Sequence, residues 1–197
     1  MRRVEAMRRS ALFTTLLLVM IPLCGNATVP ARVQARNVTS AAIGKDGLVH
    51  IRRSDGTEFV APRETSPVSL AGAHDLQVSV DALVIANDGR TVGWLVNVPN
   101  CCTSYPIPMT IVLYRDGHII RHISNGRAIF KFQFVKGGEQ IAYFSDTMHG
   151  NLGPECVLVS VSSGKTLGDW TRGGGPLPFW AEVFAVDVGP LEDLPQQ

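Results

Sequence analysis

Apolar and polar residues alternate in short runs over most of the chain between residues 48 and 170, and glycine-containing turns separate these runs. Period-two runs bounded by turn residues indicate β-strands. The first two runs flank Ser54-Asp55-Gly56-Thr57, and Asp-Gly between extended segments is typical of a hairpin. We therefore predict a hairpin over residues 48–60, followed by a loop over 61–75.

A unit of four runs then occurs twice, over residues 82–123 and 129–170. The turn glycines Gly89 and Gly138 stand 49 positions apart, and Gly117 and Gly164 stand 47 apart. Four short strands with a period just under 50 residues are typical of a β-propeller blade. We predict an all-β fold of two to three propeller-like four-stranded antiparallel repeats. The hairpin over 48–60 would supply the last two strands of an incomplete unit.

The number of repeats limits the architecture. A closed propeller typically needs about four or more blades, and this chain has room for two to three. The repeats must therefore form an incomplete propeller or a small sandwich. Because an open stack would expose apolar sheet faces and strand edges, we expect either self-packing or oligomerisation.

Residues 85–94, Ile-Ala-Asn-Asp-Gly-Arg-Thr-Val-Gly-Trp, carry a family resemblance. They resemble the S-P-D-G-(K/R)-x-I-A-(F/W) core of the WD40-like repeats found in TolB-type exported propellers, and residues 134–143 resemble it more loosely. Residues 100–108, Asn-Cys-Cys-Thr-Ser-Tyr-Pro-Ile-Pro, also resemble a segment of bacterial exported proteins of unassigned function. These resemblances imply propeller repeats and export, and they imply no activity.

The first 27 residues have the layout of a secretory signal peptide. Four arginines among the first nine residues precede an apolar run over 11–23, and Gly25-Asn26-Ala27 offers small residues at a cleavage site after Ala27. An uncleaved membrane anchor is the alternative. The arginine-rich leader suggests a bacterial protein that is periplasmic or secreted.

The rest of the chain divides into three parts by composition. Residues 28–46 are small and polar, and we expect a flexible arm there. Residues 47–171 form the predicted β-repeat domain, and 172–197 form a C-terminal tail. Within the tail, residues 177–188 fit a short helix and a strand equally well, because they are both apolar and few.

Charge excludes some partners. The chain has 18 Lys and Arg against 17 Asp and Glu, and removal of residues 1–27 changes the net charge from +1 to −2. The chain has no basic excess that would indicate binding to nucleic acid. No second apolar run is long enough to span a membrane. After signal cleavage we therefore expect neither nucleic acid nor a membrane as a partner. Ser163-Gly164-Lys165-Thr166 is only part of a phosphate-binding loop, since Val159 stands where that motif needs Gly. No cofactor or metal is predicted.

Three cysteines remain after the leader: Cys101, Cys102 and Cys156. In an oxidising compartment Cys156 could pair with Cys101 or with Cys102, the adjacent pair could close a strained ring, or no bridge could form. The first of these alternatives is the one we favour. A catalytic thiol is not indicated, because the chain has no C-x-x-C motif.

The loops 97–108 and 145–155 occupy the same position in their repeats and should lie on one rim. This arrangement would bring Cys101, Cys102 and Tyr105 toward Asp146, His149 and Cys156. Loops on one rim of a rigid scaffold commonly bind ligands. The candidate binding residues are Asn100, Tyr105, Asp146 and His149. We assign no catalytic residue.

Phe130, Phe132 and Phe134 form a second pattern, because they should share one face of a strand. Three aromatic side chains in register more often pack in a core than stack on a ligand. We therefore expect them in the core.

These observations support three hypotheses about function. The first is an exported non-enzymatic binding module of the bacterial envelope whose rim loops meet a protein partner. The second is a small secreted hydrolase or metal-dependent enzyme that uses Asp146 and His149 in the 145–155 loop. The third is a structural envelope accessory that acts as a homo-oligomer.

Overall fold

The computed structural model describes residues 37–64, 77–100, 104–147 and 153–189, and within them eleven strands form three antiparallel sheets. Sheet 1 contains, in spatial order, β1 (Val38–Ile43), β2 (Val49–Arg53) and β3 (Glu58–Val60). Sheet 2 contains β4 (Ser79–Ile85), β5 (Thr91–Val98), β6 (Ile107–Arg115) and β7 (His118–Ile123). Sheet 3 contains β8 (Ala128–Val135), β9 (Gln140–Asp146), β10 (Glu155–Ser160) and β11 (Thr166–Thr171). The predicted all-β class and both four-stranded repeats are confirmed.

The strands of each repeat follow one another in space as they do in sequence, so sheets 2 and 3 are simple meanders. Their tight connections need backbone conformations that glycine adopts without strain. Gly89, between β4 and β5, has φ of 64°, and Gly117, between β6 and β7, has φ of 101°. A one-turn 3₁₀ helix, Lys136–Gly138, joins β8 to β9.

Sheet 1 has three strands where the sequence predicted two. The prediction of a flexible arm is wrong for residues 38–43, because they pair with β2 from Ile43 opposite Val49 to Val38 opposite Arg53, with a β-bulge between Val38 and Ser40. Most β1 side chains are small or exposed, so the strand lacks a clear apolar face. Its backbone hydrogen bonds to β2 hold it in place. The predicted leader and residues 28–36 lie outside the described residues.

The three sheets stack face to face, with sheet 2 in the middle. One apolar cluster lies between sheets 1 and 2, and a second lies between sheets 2 and 3. Within β5, Trp94 packs toward sheet 1 while its neighbour Leu95 packs toward sheet 3. Because both faces of sheet 2 are covered, β5 is buried along almost its whole length.

The outer face of sheet 1 is polar. The His50 ring lies between two carboxylates, with Nε2 3.0 Å from Asp46 Oδ2 and Nδ1 3.0 Å from Glu58 Oε1. Hydrogen bonds to Asp46 and then to Glu58 raise the pKa of His50. Arg52 on the same strand is largely exposed. This end of the stack can therefore face solvent.

A helical segment covers the outer face of sheet 3. It consists of a 3₁₀ helix, Phe179–Phe184, and one α-helical turn, α1 (Ala185–Val188), and we call residues 179–188 the cap segment. Trp180 and Phe184 pack with Phe144 and Trp170 in a third apolar cluster. The ambiguity over residues 177–188 is thus resolved in favour of a helix. The sheets pack on one another, as expected for repeats that bury their own apolar faces.

Among the described residues, no helix is long and apolar enough to cross a membrane.

Candidate functional site

The hairpin turns of sheets 2 and 3 lie together on one side of the stack, which we call the turn edge. Arg115 Nη2 donates to the carbonyl oxygen of Gly138 at 3.0 Å, and a Cβ built on Gly138 would lie 3.1 Å from Asp88 Cγ. Both β5 and β9 begin at these turns and run away from them. The two predicted binding loops, 97–108 and 145–155, therefore leave the opposite side of the stack, which we call the loop edge.

Polar contacts fasten the base of each of these loops. Asn97 Nδ2 donates to Ser79 Oγ at 3.0 Å, which ties the start of the first loop to β4. Arg127 Nη1 donates to the carbonyl oxygen of Gly153 at 2.9 Å, and its Nε lies 3.5 Å from Glu155 Oε2. These contacts join each loop to the strand or connection beside it.

The structure describes three of the four predicted binding residues, Asn100, Tyr105 and Asp146. Tyr105 is 58% exposed on the loop edge, and Asn100 is half-buried. Asp146 accepts a hydrogen bond at Oδ1 from the backbone N–H of Thr147 at 2.7 Å. His149, with Cys101 and Cys102, lies outside the described residues. The binding role of these residues stays a prediction.

Cys156 is a free cysteine in the structure and is fully buried. It stands between Phe144 and Trp170 in the register of sheet 3, and all three side chains belong to the cluster beneath the cap segment. The structure therefore does not contain the predicted bridge from Cys156. Burial, with smaller contributions from Glu155 and Asp187, raises the pKa of this thiol to about 11, so it is a packing group rather than a nucleophile.

Among the described residues, no group of three or more His, Cys, Asp or Glu side chains is arranged to hold a metal ion.

The prediction that Phe130, Phe132 and Phe134 share one face of β8 in the core is wrong for Phe130, which is 43% exposed. A β-bulge interrupts the pairing of β8 with β9 between Ile129 and Lys131. The Phe130 ring lies 6.1 Å from that of Phe144, on the side of the cap segment. Phe132 and Phe134 pack on the opposite face, toward sheet 2.

A groove of about 270 Å³ lies between β4 and β8, beside the turn edge. Its exposed lining is polar and apolar in about equal parts. The lining residues are Val84, Ile85, Ala86, Asn87, Phe132, Gln133, Phe134, Gly137 and Gly138. None of these side chains titrates, so the groove offers apolar surface beside uncharged polar groups.

Gly93 in β5 allows this groove to form. A Cβ built there would lie 3.0 Å from Phe132 Cε2 and 3.1 Å from Phe134 Cζ. The two rings therefore lean into the space above Gly93, where they meet edge to face with centroids 6.0 Å apart. Phe134 stays half-buried, and Ile85 across the groove is 38% exposed.

The sequence contains one signal for this groove, which is the glycine inside the apolar strand β5. A glycine at such a position often marks the close approach of a neighbouring element. The signal does not say which element approaches. The pairing of Gly93 with Phe132 and Phe134 depends on how two sheets stack, and strand patterns do not specify that stacking.

No protein-family model matches this chain, and comparison with curated proteins finds no similar sequence.

Proposed function

We propose that this chain is an exported, non-enzymatic binding module of the bacterial envelope, and that a partner protein binds in the groove between β4 and β8. One observation carries the proposal. Apolar side chains from two adjacent repeats, Ile85 and Phe134, are partly exposed where they line the groove. A concave site that combines apolar surface with a few polar groups is the usual form of a binding site.

The surroundings of the groove support a binding role. Its walls come from strands and a tight turn rather than from long loops, so its shape is held by the packed core. On the opposite face of β8, Gln133 Nε2 donates to the carbonyl oxygen of Trp180 at 3.3 Å, which ties the strand that forms one wall of the groove to the cap segment. A rigid site of this kind loses little conformational entropy when a partner binds.

Export rests on the leader over residues 1–27, and a WD40-like repeat family rests on the resemblance of residues 85–94. Both fit a module that works outside the cytoplasm by presenting a surface. The loop edge, with exposed Tyr105, offers additional contact area in the same role.

The test uses the full chain and a phage-displayed library of random peptides as the probe. Ile85→Lys places a charge at the groove, and Ile43→Lys is its matched control, since Ile43 is 44% exposed on sheet 1. Peptides selected on the wild-type chain should bind Ile85→Lys about tenfold or more weakly, because the lysine must be desolvated. They should bind Ile43→Lys almost unchanged.

Both variants must keep the wild-type melting temperature for the comparison to count, and their exposed positions favour this. Equal binding to wild type and Ile85→Lys, or failure to select any peptide, would overturn the groove as the binding site.

A further inference from the structure

The groove runs along a free strand edge. In the spatial order of sheets 2 and 3, β4 and β8 are terminal strands, so among the described residues each has a strand partner on one side only. Alternate residues of such a strand direct backbone N–H and C=O groups away from the sheet. The partner that fits these groups is another extended backbone, because a helix already uses its own backbone groups.

The two edges differ in regularity. The pairing of β4 with β5 is interrupted between Asp81 and Val84, and Ala82 has φ of 49°. A bulge of this kind bends the strand and spoils its outer edge for pairing. In contrast, β8 keeps an unbroken register over residues 131–135, opposite residues 144–140 of β9. The regular edge beside the groove is therefore that of β8.

We propose that the occupant of this groove is an extended peptide segment of the partner protein, which adds a strand to the free edge of β8 over residues 131–135. This inference rests on the proposed function. In the added strand, side chains alternate between the two faces of sheet 3. One apolar side chain enters the groove, between Val84 and Phe134, and the next one points toward the cap segment.

The size of the groove agrees with such an occupant. At about 270 Å³ it lies at the lower limit of sites for whole small ligands, which are about 300–1,000 Å³. One or two side chains fill a space of this size. Affinity would then come from the backbone hydrogen bonds, and specificity from the side chain in the groove.

Charge selects a different protein over a second copy of this chain. Lys131 and Lys136 stand at the two ends of the pairing segment, and both are exposed. Lysine on an edge strand disfavours pairing between identical edges, because two copies would bring like charges together. Asp187 Oδ1 lies 2.6 Å from Lys131 Nζ and offsets part of its charge, so Lys136 contributes most to this selection and favours an acidic residue at one flank of the peptide.

The first experiment follows backbone hydrogen exchange in the full chain by NMR, with and without a peptide selected as above. We expect slower exchange at alternate amides of residues 131–135. The other terminal strand of sheet 3, β11, is the internal control and should not change. Addition of a strand protects the amides that donate to it, whereas contact through side chains alone does not.

The second experiment changes the peptide backbone. N-methylation at alternate peptide positions should weaken binding about tenfold or more where the amide faces β8, and little at the positions between. This alternation would be absent for a peptide that binds as a helix or through side chains only.

The outcomes separate the two proposals. Peptides whose binding depends on Ile85 but that neither protect β8 nor respond to N-methylation with period two would overturn strand addition and leave the binding module intact. Protection of β4 or β11 instead of β8 would also overturn it. If no peptide depends on Ile85, both proposals fail.

Discussion

Arg115 joins the two four-stranded repeats, because its Nη2 donates to the carbonyl oxygen of Gly138 in the next sheet at 3.0 Å. The same guanidinium donates from Nε to Thr91 Oγ1 at 2.7 Å and lies 3.3 Å from Asp88 Oδ2. Arg115 sits at the end of β6 and is mostly buried, so this network stabilises the turn edge of both sheets.

We expect Arg115→Ala to lower the free energy of unfolding by about 1–3 kcal/mol, since it leaves the Gly138 carbonyl and the Asp88 carboxylate without a charged donor. Urea denaturation measures the change. Arg52→Ala is the control, because the Arg52 side chain is 70% exposed and its ion pair with Glu58 is long, at 4.0 Å. That variant should change stability by less than about 0.5 kcal/mol. Equal effects would show that the network does not join the repeats.

Sequence patterns predict the strands of sheets 2 and 3 because the two signals they rest on, turn residues and apolar runs, are both local. Turn glycines mark the hairpins, and the runs between them have the composition of buried strands. The pattern does not reveal β1 because Val38–Ile43 contains mostly small residues, of which Val38 and Ala41 pack against the apolar cluster between sheets 1 and 2. Because a β-bulge between Val38 and Ser40 sets the two packed residues three positions apart, they do not show the period of two that indicates a strand.

The candidate site depended on features that are not local. Cys156 was placed by its nearness to a loop, but side-chain direction in a strand changes at every residue. Glu155 contacts Asn125 and Arg127 on the loop edge, whereas Cys156 turns into the apolar cluster beneath the cap segment. The groove between β4 and β8 depends on sheet stacking, so the alternation of residues within each strand does not predict it.

Gly93 provides a test of the packing that shapes the groove. Gly93→Ala would place a methyl group about 0.5 Å inside ordinary contact with Phe132 and Phe134. We expect a loss of about 1–3 kcal/mol in the free energy of unfolding, because the buried rings must shift or leave their rotamers. The same shift would alter the groove, so peptide binding should weaken as well.

Gly168→Ala is the matched control for Gly93→Ala. Gly168 also lies in a strand without positive φ, and its Cβ would meet Trp180 Cζ2 at 3.5 Å, an ordinary contact. Gly168→Ala should change the free energy of unfolding by no more than about 0.5 kcal/mol. If the two variants behaved alike, close packing at Gly93 would not explain the placement of Phe132 and Phe134.

The ion pair between His122 and Glu64 predicts a dependence of stability on pH. His122 Nε2 lies 2.9 Å from Glu64 Oε2, and this hydrogen bond raises the pKa of His122 despite opposing desolvation. A histidine whose pKa is raised by folding stabilises the protein fully below its unfolded pKa, and that contribution is lost as pH rises through the folded pKa. The pH range over which this stabilisation is lost therefore begins at about pH 6.5 and extends above it.

His122→Gln should remove this contribution. The stability difference between wild type and His122→Gln is expected to be larger at about pH 5.5 than at about pH 8.5. Chemical denaturation at both values measures it. Some pH dependence should persist in the variant, because the pKa of His50 is raised by Asp46 and Glu58. A difference that grows with pH would contradict the assigned pairing.

The buried thiol of Cys156 gives the last prediction. With a pKa near 11 and no solvent exposure, Cys156 should resist alkylation by iodoacetamide in the native protein at about pH 8 and react fully after denaturation without reductant. Mass spectrometry of proteolytic fragments separates Cys156 from Cys101 and Cys102, and a Cys156→Ala variant identifies the fragment. Labelling of Cys156 only after reduction would instead show that it forms a disulfide. The strand that begins at Glu155 would then have to turn its second side chain out of the cluster beneath the cap segment, with loss of the contacts to Phe144 and Trp170.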